Sequence, residues 1–255
     1  MTAIELLVLA SAMAFVGVGA GVGIKLLRLA HRTRGFPELL VGFSLFTLSA
    51  VAWPLMLAAR TSPPEPLLRA AVAGASLAMA LGWSGVFLFT WRVFRPGPGW
   101  ARTLAGVGIS VELAAGLAGA LRAFVLPDAA ALRTSAPSGL VLLLGAQVVY
   151  AWTAVESFRY RALLRRRVPL GLADPVVADR FGLWGWTGIL GGGSIAPATW
   201  ALLSGGDPHS LWNHLVVGVC GLASSGVLYL AFLPPASYAR FVRENAPAPA
   251  RESAP

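Results

Sequence analysis

Glu112 is the only acidic residue near the centre of any long apolar run in this chain. A charged side chain at mid-bilayer costs roughly 2.5–3.5 kcal/mol on insertion scales, so such residues are functional sites by default. Gly108, Gly116 and Gly119 share its helical face, at spacings that stack along one stripe. That stripe is narrow enough to pack against another helix, so Glu112 is expected to point into a bundle. Gln147 and Tyr150 lie three residues apart on one face of the next apolar run, at a similar depth. Consecutive helices with a short connection usually lie side by side. A Glu112–Gln147–Tyr150 cluster follows. It reads either as a hydrogen-bonded clasp between two helices or as a ligand or proton site, with Glu112 held as the neutral acid because burial disfavours charge.

A second group is aromatic. Trp83, Trp152, Trp184 and Trp186 fall at comparable depth and would either line a pocket for a small apolar ligand or form core. A third feature is "GILGGGSIAPATW", residues 188–200. Pro197 frees a carbonyl and kinks a helix, and glycines 191–193 remove side chains just beneath the kink. The segment, with Trp200 beyond it, reads as a thin, bendable wall beside a cavity or as a tight helix crossing. Glu112, Gln147, Tyr150, Trp83, Trp186, Pro197 and Trp200 are therefore the candidate ligand-binding residues.

Other chemistry has no support in the sequence. The three histidines show neither HExxH nor paired spacing, so no metal is expected. Cys220 is the single cysteine, which excludes an intramolecular disulfide. No acyl-transfer or phosphate-binding motif is present, so neither catalytic residues nor a cofactor are expected.

The elements that must position these residues are apolar throughout. Of 255 residues, 56% are hydrophobic and 12% charged, with a mean hydropathy of +0.70. A soluble domain carries about 25% charged residues. The expected fold class is all-α: a polytopic membrane protein built as a seven-transmembrane-helix bundle. The spans are placed at 3–27, 38–59, 67–91, 103–125, 138–158, 176–203 and 211–233, each near the ~20 residues that cross a bilayer. They form one domain, 1–240, followed by a Pro/Ala-rich tail, 241–255, expected to be disordered. The opening "MTAIELLVLASAMAF" lacks the basic start of a secretory signal and is expected to stay as the first span.

Net charge is +9, from 20 Lys and Arg against 11 Asp and Glu. The basic residues sit in short connections, which argues for lipid headgroups as partners rather than nucleic acid. Only Arg60, Arg69, Arg122 and Arg133 fall on one side; the other 16 fall on the opposite side. The positive-inside rule then places the N-terminus outside and the C-terminus in the cytoplasm. Trp53, Trp91, Trp100, Trp200 and Trp212 fall near span ends, where interfacial belts form. Asp174 and Pro175 mark a helix start. "RYRALLRRR" is an orienting charge cluster or a surface for anionic lipid or a partner. Gly17/Gly21 and Gly19/Gly23 form two overlapping GxxxG patterns, which serve packing within the bundle or a homodimer.

The seven-helix layout, with this orientation, resembles that of microbial rhodopsins. In "SIAPATW", Trp200 follows Pro197 by three residues, similar to the sixth-helix pattern of that family. The family's aromatic before the proline is replaced by Ala196, and its second tryptophan by Gly193. The resemblance implies a retinal lysine in the seventh helix. This chain has one lysine, Lys25, in the first span, and Ser224 and Ser225 stand in the seventh. The third span holds no carboxylate for a counter-ion. The layout is also similar to that of SWEET sugar transporters, since Pro54 and Pro197 lie at similar depths and spans 1–3 and 5–7 would be parallel repeats. The expected role is a non-enzymatic receptor or sensor that lacks retinal, binds a small or apolar ligand and passes a change to its cytoplasmic face. The alternative is a small-solute or proton transporter or channel. Short loops and the Ala/Gly/Arg bias point to a bacterial inner membrane.

Overall fold

The computed structural model describes residues 3–61, 64–126, 137–207 and 210–246. Its described residues form helices α1 (Ala3–Thr33), α2 (Phe36–Arg60), α3 (Glu65–Phe94), α4 (Gly99–Val125), α5 (Pro137–Arg167), α6 (Pro175–Ser204), α7 (Leu211–Phe232) and α8 (Ala236–Glu244). No strand occurs among them.

Each of the seven expected spans coincides with a helix, and α1 to α5 and α7 are long and apolar enough to cross a membrane. That makes six. α6 is as long, at 30 residues, but glycine, serine, threonine, tryptophan and Pro197 dilute its apolar character. The bundle also has an eighth helix where seven were expected. Pro234 and Pro235 end α7, and α8 begins at once. It carries helix to Glu244, four residues into the stretch expected to be a disordered tail; residues 247–255 of that stretch lie outside the described residues, as does Arg133.

The helices close a ring. α1 packs on α2 and α7, α7 on α6, α6 on α5, and α5 on α3, which returns to α2. α4 lies against α3 and α5. Two of the four core clusters among the described residues are the largest. One joins Leu48 of α2, Trp83 and Phe87 of α3, Ala105 of α4 and Val149 of α5. The other joins Val22 of α1, Leu45 of α2, Phe89 of α3 and Leu228 of α7.

Small residues set the closest crossings. A β-carbon at Gly23 would lie 2.8 Å from the Phe46 backbone nitrogen, and one at Gly42 would lie 2.9 Å from that of Leu27. So α1 and α2 meet backbone to backbone, the close approach that small residues allow. Gly17 and Gly21 have nothing within 4 Å. Of the two GxxxG patterns, Gly19/Gly23 is occupied by α2, and Gly17/Gly21 faces outward.

α2 contains a π-helical turn, Thr47–Ala52, directly before Pro54. The Trp53 N–H reaches back five residues to the Leu48 carbonyl. Pro54 has no N–H, and its ring would clash with the carbonyl four residues earlier in a regular helix. The wide turn accommodates it without breaking the span.

Polar side chains tie the helix ends. Arg69 donates to the carbonyls of Ala123 and Leu126, both at 2.7 Å, and so caps α4 from α3. Lys25 donates to the Phe232 carbonyl at 3.2 Å, capping α7 from α1. Asp174 accepts from the Val176 N–H at 2.8 Å, with Pro175 in the first turn, as the sequence predicts. α8 docks on the start of α6: the Tyr238 hydroxyl donates to Asp179, and Arg243 lies 3.6 Å from Asp174. Partial burial first, then Asp179, push the Tyr238 hydroxyl up to about 12; Arg161 opposes them.

Candidate functional site

Glu112 sits midway along α4 and is fully buried. The inward face predicted from its glycines is present. Gly108 meets the Phe87 ring, Gly116 meets Ala80, and Gly119 meets Ser76, all on α3. The carboxyl itself turns to α5, where it lies against Gly145 so closely that a β-carbon there would collide with Oε1. Neither carboxyl oxygen has a hydrogen-bond partner among the described residues. A buried polar group without a partner costs roughly 1–3 kcal/mol. It persists in native structures where strain, catalysis or a missing water or ion explains it.

The expected Glu112–Gln147–Tyr150 cluster does not form. Gln147 donates instead to the Gly192 carbonyl of α6 at 3.0 Å. The Tyr150 ring packs on Gly191, where a β-carbon would sit 3.2 Å from it. The Trp83 indole N–H lies near the Tyr150 hydroxyl, outside hydrogen-bonding geometry. The physical reason is rotation. Gln147 is two residues beyond Gly145, about 200° around a helix, so the two cannot share a face.

The same geometry fills the space expected beside Pro197. Tyr150 covers Gly191, Gln147 covers Gly192, and Cys220 lies 3.7 Å from a β-carbon placed at Gly193. The glycines serve a close crossing of α6 with α5 and α7. Pro197 is half-buried within α6, and Ser194 donates to the Gly191 carbonyl at 2.7 Å. Trp200 is 72% exposed and Trp186 49% exposed, so both lie on the outside of the bundle. Trp100 and Trp212 are also exposed, whereas Trp53 and Trp91 are half-buried.

The aromatic group divides in the same way. Trp83 and Trp152 belong to one core cluster, with Trp152 6.3 Å from Phe87. Trp184 packs edge-on to Phe232 at 5.3 Å in the other. Trp186 packs on Phe158 at 5.8 Å. Trp184 and Trp186 are two residues apart on one helix and so face opposite ways. A cavity of about 10 Å³ beside Trp184, Val41, Ser44 and Phe89 has room for no more than one water.

Sequence reasoning missed a second polar layer. Arg95, just past α3, donates to the Glu156 carboxylate of α5 at 2.9 Å. Deeper in the bundle, Thr90 and Thr153 share a hydrogen bond of 2.7 Å. Glu156 lies within the predicted span 138–158, and its charge was the available signal. Among the described residues, no group of three or more His, Cys, Asp or Glu is placed to hold a metal.

By fold and composition the described residues make an all-helical protein with six helices long and apolar enough to cross a membrane. No family model matches it, and no curated protein or solved structure matches it.

Proposed function

We propose that the chain is a non-enzymatic, multi-pass protein of a bacterial-type inner membrane that takes up a proton or small ligand at Glu112 and acts as a receptor or sensor. The observation that carries this reading is the buried carboxyl with two unpartnered oxygens. In this reading α6 also crosses the membrane as the sixth span, which brings the number to seven, since it is 30 residues long and packs between α5 and α7. The 16-to-4 division of Lys and Arg supports an outside N-terminus and a cytoplasmic C-terminus. A reporter fused after Arg243 should then be active in the cytoplasm, and one inserted beside Asp207 outside. The opposite pattern would reverse the orientation.

A change at Glu112 has a route to the cytoplasmic end. Glu112 rests on α5 at Gly145, Gln147 of α5 holds α6 at Gly192, and α6 carries Asp179, which holds α8. The rhodopsin-like layout fits this arrangement without retinal, because the only lysine caps α7 from α1. Transport is the second reading. A proton relay needs successive hydrogen-bonded groups, and the isolation of Glu112 favours binding over relay.

Infrared spectra of wild type and Glu112→Gln test the premise. The wild type should show a protonated carboxyl stretch at neutral pH that the variant lacks, and the band should respond when ligand or pH is changed. A carboxylate band from this residue, or a protonated band that nothing perturbs, would defeat the proposal.

A further inference from the structure

The turn between α1 and α2 opens a groove of about 390 Å³ on the strongly basic end of the bundle. Leu27 and Ala30 of α1 and Phe36 and Leu39 of α2 make its apolar lining, Arg34 supplies a cation, and His31 adds a ring N–H donor. Phe36 and Leu39 are 47% and 45% exposed, so the lining is uncovered. Among the described residues neither His31 nor Arg34 makes an ion pair. Arg28 and Arg32 add to the positive charge of the same helix end. Glu38, the nearby acid, is folded back over Gly35 with one oxygen buried.

The backbone adds an independent observation. Arg34 ends α1 with φ at +57°, and it is the one non-glycine residue with positive φ among those described. Glycine usually takes this helix-ending position, and a side chain there costs on the order of 1 kcal/mol. An arginine with a glycine for its neighbour is held in a strained position where it lines the groove.

We propose that this groove binds one anionic phospholipid, with the phosphate held by His31 and Arg34 and an acyl chain laid along Leu27, Phe36 and Leu39. An apolar trough beneath an arginine without an ion pair and a neighbouring imidazole donor matches the two halves of such a lipid. The helix-end arginines attract anionic headgroups generally, and the trough gives this pair a place to retain one. The proposal rests on the membrane reading, but on neither the orientation nor Glu112.

The test is native mass spectrometry of the full chain with added phosphatidylglycerol or phosphatidylcholine of identical acyl chains. Wild type should retain phosphatidylglycerol about tenfold more tightly, given the worth of each basic residue at a membrane surface. The variant His31→Gln with Arg34→Gly should lose that preference. Glycine suits the positive φ, so the variant should fold and melt no lower than wild type in detergent. Replacing Arg165, Arg166 and Arg167 by Gln should leave the preference intact. Equal retention of both lipids by wild type would overturn the proposal. So would a preference that survives in the groove variant or vanishes in the Arg165–Arg167 variant. A chain that stays monodisperse without detergent would overturn the membrane reading and this proposal together.

Discussion

Glu112→Met should make the protein more stable and abolish the response proposed for it. Both carboxyl oxygens are buried without partners, so the native state bears the cost of removing them from water. Methionine has a similar length, no polar head and an adaptable chain. It should return a sizeable part of the roughly 1–3 kcal/mol that an unsatisfied buried group costs. Glu112→Gln keeps a polar head in the same apolar place beside Gly145 and should gain little. Thermal unfolding of the three proteins in one detergent would therefore rank methionine highest, with glutamine near wild type. The infrared response to pH or ligand should be lost in both variants. A stabilised, silent methionine variant is what a retained functional group predicts, because function keeps a residue that stability alone would discard. A methionine variant that unfolds earlier would mean that Glu112 holds a partner in the working protein, and the clasp would be the better account.

The sequence was legible where one helix suffices to make the argument. Apolar runs and their breakers located all seven long helices, because transfer to hydrocarbon and proline chemistry are local properties. Asp174 and Pro175 marked the start of α6 for the same reason. The inward turn of Glu112 was legible from Gly108 and Gly116, which lie on its own helix. The partner was not. That Gln147 faces α6 while Gly145 faces α4 depends on the rotation of α5, and rotation is set by packing from several helices at once. The two GxxxG patterns make the same point: they are equivalent in sequence, yet only Gly19 and Gly23 meet α2. α8 was overlooked because it is short and charged, and its docking rests on contacts with Asp174 and Asp179 that lie some sixty residues earlier.

The ion pair that the sequence left unread carries the largest expected stability effect. Glu156 is 5% exposed, Arg95 is 28% exposed, and they meet at 2.9 Å. The other cation near Glu156 is Arg159, at 4.0 Å and largely exposed. Removing one partner of a buried pair strands the other and costs about 3–5 kcal/mol, whereas replacing both with apolar residues is often neutral. Arg95→Met should therefore lower stability by about 3 kcal/mol, at the low end because Arg95 is partly open to solvent. Glu156→Met should cost less, since the arginine left behind can turn outward to water. The double variant should recover most of the loss from Arg95→Met, leaving a coupling that a double-mutant cycle reads directly. Unfolding in detergent, followed for wild type and the three variants, gives the four corners. Additive losses would show that the two charges do not act as a pair. The position of the pair explains why the cost matters to the proposed function. Glu156 fixes α5 to α3, Gln147 fixes α5 to α6, and the carboxyl of Glu112 rests on α5 beyond both contacts. A helix held at those two points can pass a change at Gly145 to α6 by rotation instead of by drifting away from the ring. Loosening Arg95–Glu156 should thus weaken the response to Glu112 protonation even under conditions where the variant remains folded.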